Sequence, residues 1–295
     1  MRFLLAHLSD VHIGPLPRPR ARELLGKRLT GYVNWTRGRH RIHDMGVLAR
    51  LVADLRAQRP DHVAMTGDIV NIGLPAEFPA ARAWLESLGD PKDVSFVPGN
   101  HDAYVRASMS LLAKTFVAWV GDGAPSEPMF PYVRVRGDIA LIGLSSARPT
   151  APLLASGALG PEQCRRLGEL LDDAQRRGLV RIVMIHHPPY RAGATLGRGL
   201  VDAARFEDVI HRHGAELVVH GHNHRSSIAH LAARTGVVPI VGVPSGSAVP
   251  GTRTHRAAYH LFAIERNGTG LTLRGRARGL VPGTKEIGDL GPLRL

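Results

Sequence analysis

Val94-Ser95-Phe96-Val97-Pro98-Gly99-Asn100-His101-Asp102 is a short, mainly apolar run that breaks into a proline, a glycine and three side chains able to bind metals or move protons. The run predicts a buried strand, and Pro98-Gly99 ends it. The same grammar recurs upstream. His62 to Thr66 runs into Gly67-Asp68-Ile69-Val70-Asn71, and Arg2 to Ser9 runs into Asp10-Val11-His12-Ile13-Gly14-Pro15. It recurs downstream, where Val180 to Ile185 meets His186-His187-Pro188-Pro189 and Glu216 to Val219 meets His220-Gly221-His222-Asn223-His224. Five strand ends therefore carry polar loops.

Helical periodicity fills the gaps. Ile42, Met45, Leu48, Leu51, Val52 and Leu55 share one face of a helix over 42–58, which Pro60 closes. Further helices are expected near 76–89, 106–120, 161–177 and 202–213. Strands are expected at 131–136 and 139–145, with short strands and Gly/Pro turns over 227–276. Strand, polar loop and helix in regular alternation make an α/β fold whose loops meet outside the carboxyl ends of the strands.

The 295 residues suffice for one large domain, and 44% hydrophobic with 21% charged residues excludes a disordered chain. The net charge of +13 attracts anions, although only four of the 38 basic residues are lysines, so an arginine-rich composition explains it equally well. Cys164, the single cysteine, cannot form an internal disulfide and points to a reducing compartment, the cytoplasm. Asp10 interrupts the N-terminal apolar run too early for a secretory signal, and no stretch approaches the ~20 apolar residues of a membrane span.

Taken together, the loops supply Asp10, His12, Asp68, Asn100, His186, His222 and His224: oxygen and imidazole donors without thiolate. Such a set suits Mn, Fe, Zn or Co rather than a structural zinc or a calcium site. A carboxylate such as Asp68 can bridge two cations ~3.5–4 Å apart. Gly67, Gly99 and Gly221 remove side chains where the backbone turns toward those cations.

Asp10-x-His12, Gly67-Asp68-x-x-Asn71, Gly99-Asn100-His101-Asp102, His186 and Gly221-His222-x-His224 resemble, in order and spacing, the signature of the calcineurin-like metallophosphoesterases over residues 1 to about 265. The resemblance implies a four-layer α/β/β/α sandwich of two packed mixed sheets flanked by helices. It implies that Asp10, His12, Asp68 and His224 hold one divalent metal and Asp68, Asn100, His186 and His222 the other, with Mn or Fe favoured. It implies attack on phosphorus by a metal-bridging hydroxide, with His101 stabilising the transition state or protonating the leaving oxygen. Asp102 is placed beside His101 as its orienting group, or in a salt bridge elsewhere.

Residues 1–278 are read as the catalytic domain and 279–295 as a Gly/Pro-rich surface tail. An insertion at about 15–41 carries eight basic residues against the single acidic Glu23, interleaved with Leu24, Leu25, Leu29, Tyr32, Val33 and Trp35. It fits a helical cap over the site, a grip on a phosphate-rich headgroup, a base-stacking surface or contact with an anionic membrane face. Size and the His186-to-Pro189 loop are most similar to bacterial class III cyclic nucleotide phosphodiesterases. The alternative is hydrolysis of a lipid-linked nucleotide diphosphate sugar, which would place the protein peripherally at the inner membrane. Nucleic acid is disfavoured because no long capping domain follows the core, and a non-catalytic scaffold because the donor set is complete. Exposed strand edges near 227–276 are compatible with a homodimer. His187 and Tyr190 are candidates for substrate contact or loop packing. His7 and His62 are assigned to the core, and His211, His213, His230, His255 and His260 to the surface.

Overall fold

A computed structural model describes residues 1–122, 129–268 and 270–295. Parallel strands β1 (Arg2–Leu8), β2 (His62–Met65) and β3 (Val94–Phe96) form one half of the first sheet. Its antiparallel half is β10 (Ala258–Asn267), β11 (Gly270–Leu280) and β12 (Ile287–Leu293), in the order β12-β11-β10-β1-β2-β3. The second sheet, β4-β5-β6-β7-β9-β8, has a parallel centre of β5 (Ile139–Gly143), β6 (Val180–Met184), β7 (Leu217–His220) and β9 (Gly236–Gly242). Antiparallel β4 (Tyr132–Arg136) and β8 (Ser227–Ala233) form its edges.

Alternation along the strands assigns the layers. Leu5, Ala64, Phe262, Ile182, Met184, Val219 and Val241 meet between the sheets. Their neighbours Ala6, Leu8 and Met65 face helices α2 (Met45–Ala57) and α3 (Glu77–Leu88). On the far side Val183, Val218 and Ile240 face α5 (Gly160–Arg176) and α6 (Ala203–His213). Strands buried on both faces need apolar residues at every position, which explains why they read as unbroken runs. The four-layer α/β/β/α sandwich is the observed architecture. Helix α2 begins where Asp44 Oδ1 accepts the Val47 N–H at 2.9 Å, and Leu51 and Leu55 beneath it are fully buried, each stabilising by about 1.5–3 kcal/mol.

Two expectations are revised. The helix expected over 106–120 is only α4 (Met109–Phe116), flanked by 3-10 turns at Arg106–Ser108 and Val117–Trp119. Residues 279–295 contain β12, which pairs with β11 from Gly275 to Leu280 and covers an edge that would otherwise expose unpaired backbone groups. The insertion forms α1 (Lys27–Arg37) between 3-10 turns at Ala21–Leu24 and Arg39–Arg41. No helix among the described residues is long and apolar enough to cross a membrane.

Candidate metal centre

The carboxyl ends of β1, β2, β3, β6 and β7 converge, and all seven expected donors are there. His186 Nε2 lies 3.3 Å from Asp68 Oδ2 and 3.2 Å from Asn100 Oδ1, while His222 Nδ1 lies 2.9 Å from Asn100 Oδ1 and 3.3 Å from His186 Nε2. On the other side of Asp68, His224 Nε2 lies 3.2 Å from both Asp10 Oδ1 and His12 Nε2, and His12 Nε2 lies 3.9 Å from Asp68 Oδ2. Donors about 2.1 Å from one cation stand roughly 3 Å apart, so these spacings make two sockets that share Asp68.

The chemistry of the sockets agrees. Asp10 Oδ1 is buried and accepts no hydrogen bond, a cost that a cation would remove. Burial raises the carboxyl pKa of Asp68, but His186 and its neighbours outweigh it and hold that carboxyl well below the usual range. Burial lowers the imidazole of His186, yet Asp68 wins and pushes it up to about 9. The attraction that holds this proton is equally available to a divalent metal, which must displace it. The residues therefore fit a dimetal site.

Backbone strain marks the same place. Asp10, His12, Asp68, His222 and His224 all have positive φ, between 42° and 69°. Such conformations cost on the order of 1–3 kcal/mol each and persist only where the surroundings enforce them. Gly221 is required beside them, since a Cβ there would collide with Ser9 Oγ and Asp10 Oδ2.

His101 sits over the donors, with Nδ1 on the Asn71 carbonyl and Nε2 3.0 Å from Arg39 Nη1. Burial, followed by the Arg39 charge, lowers its pKa to about 3, so it is neutral, with its proton on Nδ1 facing Asn71 and Nε2 accepting from Arg39. Asp102 does not orient it. Its carboxylate accepts the N–H groups of Asp68 and Gly99, each at 2.8 Å, Ile69 at 3.0 Å and Val70 at 3.2 Å. It welds the β2 and β3 loops together, and burial together with the Asp68 charge raises its pKa to about 7. His187 is likewise a packing residue, with Nδ1 2.7 Å from Ser146 Oγ and Nε2 3.0 Å from the Ala155 carbonyl. Tyr190 packs near His220, ring centroids 6.2 Å apart. His7 and His62 are core residues, bonded to Thr66 Oγ1 and Ser95 Oγ at 2.9 and 2.8 Å. His260 is buried rather than exposed, because β10 lies inside the sheet and turns that side chain toward His7.

The donors open into a cavity of about 820 Å³ whose far wall is α1 and the 153–155 loop. Several of its residues carry no sequence motif. Arg39 Nη2 reaches to 3.0 Å from His12 Nε2, and among the described residues no carboxylate lies within 4.0 Å of Arg39. Lys27 lies over the Tyr104 ring, 4.7 Å from its centroid, and donates to the Leu154 carbonyl at 3.0 Å. Buried Arg28 fastens α1 down by donating to the carbonyls of Ile72 and Gly73. His43, bonded to Ser247 Oγ at 2.8 Å, and Arg198 also line the cavity. Lys27, Arg39 and His43 are recognisable in the sequence only as polar residues in or beside a basic insertion.

The model of the calcineurin-like phosphoesterase family matches residues 3–226. A probable cyclic nucleotide phosphodiesterase of Synechococcus sp. is 27% identical over 248 residues, 83% of this chain and 81% of that protein. A glycerophosphodiester phosphodiesterase of Enterobacter lignolyticus is 36% identical over 102 residues, 34% of this chain and 30% of that protein. A dimetal phosphatase from Danio rerio superposes with a TM-score of 0.65 at 15% identity, with 98% of each chain covered. The fold, the paired sockets and the matched family model agree: the chain belongs to the calcineurin-like phosphoesterases, a family of metal-dependent phosphoesterases and phosphodiesterases.

Proposed function

We propose that the protein is a dinuclear metal phosphodiesterase in which Asp10, His12, Asp68 and His224 hold one cation and Asp68, Asn100, His186 and His222 the other. The observation that carries this reading is the pair of donor clusters sharing Asp68 at the floor of the cavity. When bound, the metals supply Lewis-acid clamping of phosphoryl oxygens and activation of water, with Mn or Fe the favoured ions. The protein's own residues do the rest. Asp102 holds the β2 and β3 loops so that Asp68 and Asn100 point into the floor. His101 faces the cavity through Nε2; once Arg39 has turned away from it, a proton taken up at Nε2 gives an imidazolium, its Nδ1–H still on the Asn71 carbonyl, that stabilises charge or passes that proton to the leaving oxygen. Arg39 could not share His12 Nε2 with a cation held there, so its fork would turn toward an anionic ligand and grip a phosphoryl oxygen.

The relatives favour diesters, and the one matched over most of this chain favours a cyclic nucleotide. A lipid-linked nucleotide diphosphate sugar is the second reading, favoured by Leu153 and Leu154, which are exposed in the cavity lining. The test is Mn-dependent hydrolysis of bis-p-nitrophenyl phosphate, p-nitrophenyl phosphate, 3′,5′-cyclic AMP and a UDP-linked acyl sugar, alongside metal analysis. Wild type should bind two metals and prefer the generic diester to the monoester. Asp68→Ala and Asn100→Ala should each abolish turnover and lower metal content without unfolding the chain; full activity in either variant would sink the assignment. Cleavage of cyclic AMP at a rate comparable to the generic diester selects the nucleotide, and turnover of the UDP-linked lipid alone selects the second reading.

A further inference from the structure

The three most exposed large apolar side chains are leucines, followed by Val237 at 67% and Val201 at 63%. Leu25 and Leu153 are 77% and 91% exposed and Leu196 fully so, joined by Leu29 and Leu154 at 50% and 44%. Leu153 and Leu154 line the cavity mouth, Leu196 adjoins them next to Gly197, and Leu25 lies two residues before cavity-lining Lys27, where the insertion meets the 153–155 and 196–198 loops. Lys27 Nζ donates to the Leu154 carbonyl, Ala155 N–H donates to the Gly197 carbonyl at 3.0 Å, and Leu154 lies beside Gly197. Leucines scattered singly over a surface need no explanation, but a cluster around a catalytic opening does. Leu153 adds a second sign. It holds a left-handed backbone, φ 69°, unusual for leucine, and points its side chain into water.

The charge around this rim is predominantly positive, with Glu23 the one acidic residue of the insertion. Arg18, Arg20, Arg22 and Arg41 are exposed on the insertion, Arg37 and Arg198 line the cavity, and none of the six guanidinium groups has a carboxylate oxygen within 4.0 Å among the described residues, Glu23 accepting only the Arg20 backbone N–H at 2.7 Å. The exposed leucines would enter an acyl boundary while the arginines meet phosphate headgroups, the pairing by which amphipathic surfaces hold anionic bilayers. A soluble anionic substrate would account for the arginines but leaves the outward leucines without a role.

We propose that the rim formed by the insertion and the 153–155 and 196–198 loops docks on an anionic phospholipid bilayer, so that the metal cavity opens onto the membrane surface and takes a phosphodiester presented from it. The choice of substrate rests on the phosphodiesterase reading; the docking surface does not.

Full-length protein should sediment with phosphatidylcholine/phosphatidylglycerol (1:1) vesicles at least 10-fold better than with pure phosphatidylcholine. Leu25→Glu/Leu196→Glu, whose residues lie outside the cavity lining, should lower that binding at least 10-fold and leave bis-p-nitrophenyl phosphate hydrolysis within twofold. Arg22→Glu/Arg41→Glu, designed to keep the apolar rim, should weaken binding to the phosphatidylglycerol vesicles alone. The proposal falls if wild type stays in solution with the anionic vesicles, or if the leucine double variant binds them as wild type does. It falls equally if the wild type self-associates instead and the double variant is monomeric, which would make the rim a contact between copies. Diester hydrolysis without vesicle binding overturns only the docking surface, whereas vesicle binding without any metal-dependent hydrolysis leaves it standing and overturns the enzyme.

Discussion

At the floor of the cavity, Asp10, Asp68 and His222 sit at strand ends whose backbone is fixed by two sheets and by the four N–H groups gathered on Asp102. Along its wall, Lys27 and Arg39 are carried by α1 and the turn after it, a segment held through two buried side chains, Arg28 and Lys27, and through a glycine at 31 where a Cβ would collide with Tyr104 and Ile72. The floor gets its geometry from topology and pays for it in strained φ angles. The wall gets its chemistry from where single side chains happen to project. Damage to the floor should therefore remove the reaction, and damage to the wall should change what is bound and how tightly.

The largest effect, after loss of a metal donor, belongs to His101 at the boundary between the two. His101→Ala should lower kcat by ~100-fold or more while metal content stays at the wild-type value. Loss of metal in this variant would move His101 into the floor and blur the distinction.

Arg39 tests the wall directly. Arg39→Ala should raise KM for bis-p-nitrophenyl phosphate by about 10-fold or more and weaken inhibition by inorganic phosphate in parallel, because a charge-assisted hydrogen bond of about 1.5–3 kcal/mol is removed. Arg39→Lys should recover only part of this, since an ammonium cannot reproduce the planar fork. A change in kcat alone, with KM and phosphate inhibition unmoved, would make Arg39 a structural prop for His101.

The same contrast explains what could be read from the sequence. Asp10, Asp68 and His224 announce themselves because each ends an apolar run, and a strand end in an α/β sheet has a known address. The eight basic residues of the insertion look alike in the sequence, but the structure divides them. Arg28 goes to backbone carbonyls, Lys27 to Thr150 and Leu154, Arg39 to His12 and His101, and the rest to solvent or the cavity mouth. That sorting depends on the rotation of α1 about its axis, which the interleaved apolar residues constrain only loosely. Asp102 was misplaced for a related reason. Adjacency to His101 suggests a partner, whereas the turn after β3 aims the carboxylate back at the loop N–H groups. Residues 279–295 read as a tail because glycines and prolines hide the pairing that β11 imposes.

Arg28→Met sharpens the comparison by loosening the wall while sparing the floor. The carbonyls of Ile72 and Gly73 lose their buried donor, so unfolding stability should fall by about 1–3 kcal/mol. Limited proteolysis should then cut first within 15–41, with two metals still bound. Cleavage elsewhere, or loss of metal, would show that wall and floor are one cooperative unit.

The smallest effect tests the frame that holds the floor. Asp54 on α2 accepts from Arg278 Nη2 on β11 at 2.7 Å and from Tyr259 Oη on β10 at 2.6 Å, tying helix to sheet well away from the metals. Burial raises its carboxyl pKa, but the Arg278 and Tyr259 hydrogen bonds outweigh burial and hold it below the usual carboxylate range. A carboxyl depressed in the folded state stabilises it above the unfolded pKa of about 3.9, and that stability is lost as pH falls through the lower folded value. Asp54→Asn should thus cost about 1–2 kcal/mol at pH 7, with the gap from wild type closing below about pH 4. Turnover at pH 7 should stay within twofold, because the donor spacings are set by the strand-end loops and not by this tie. A gap independent of pH would mean that Asn keeps the tie without its charge, and a large loss of turnover would mean that the floor's strain is held in place from the outer layer of the sandwich.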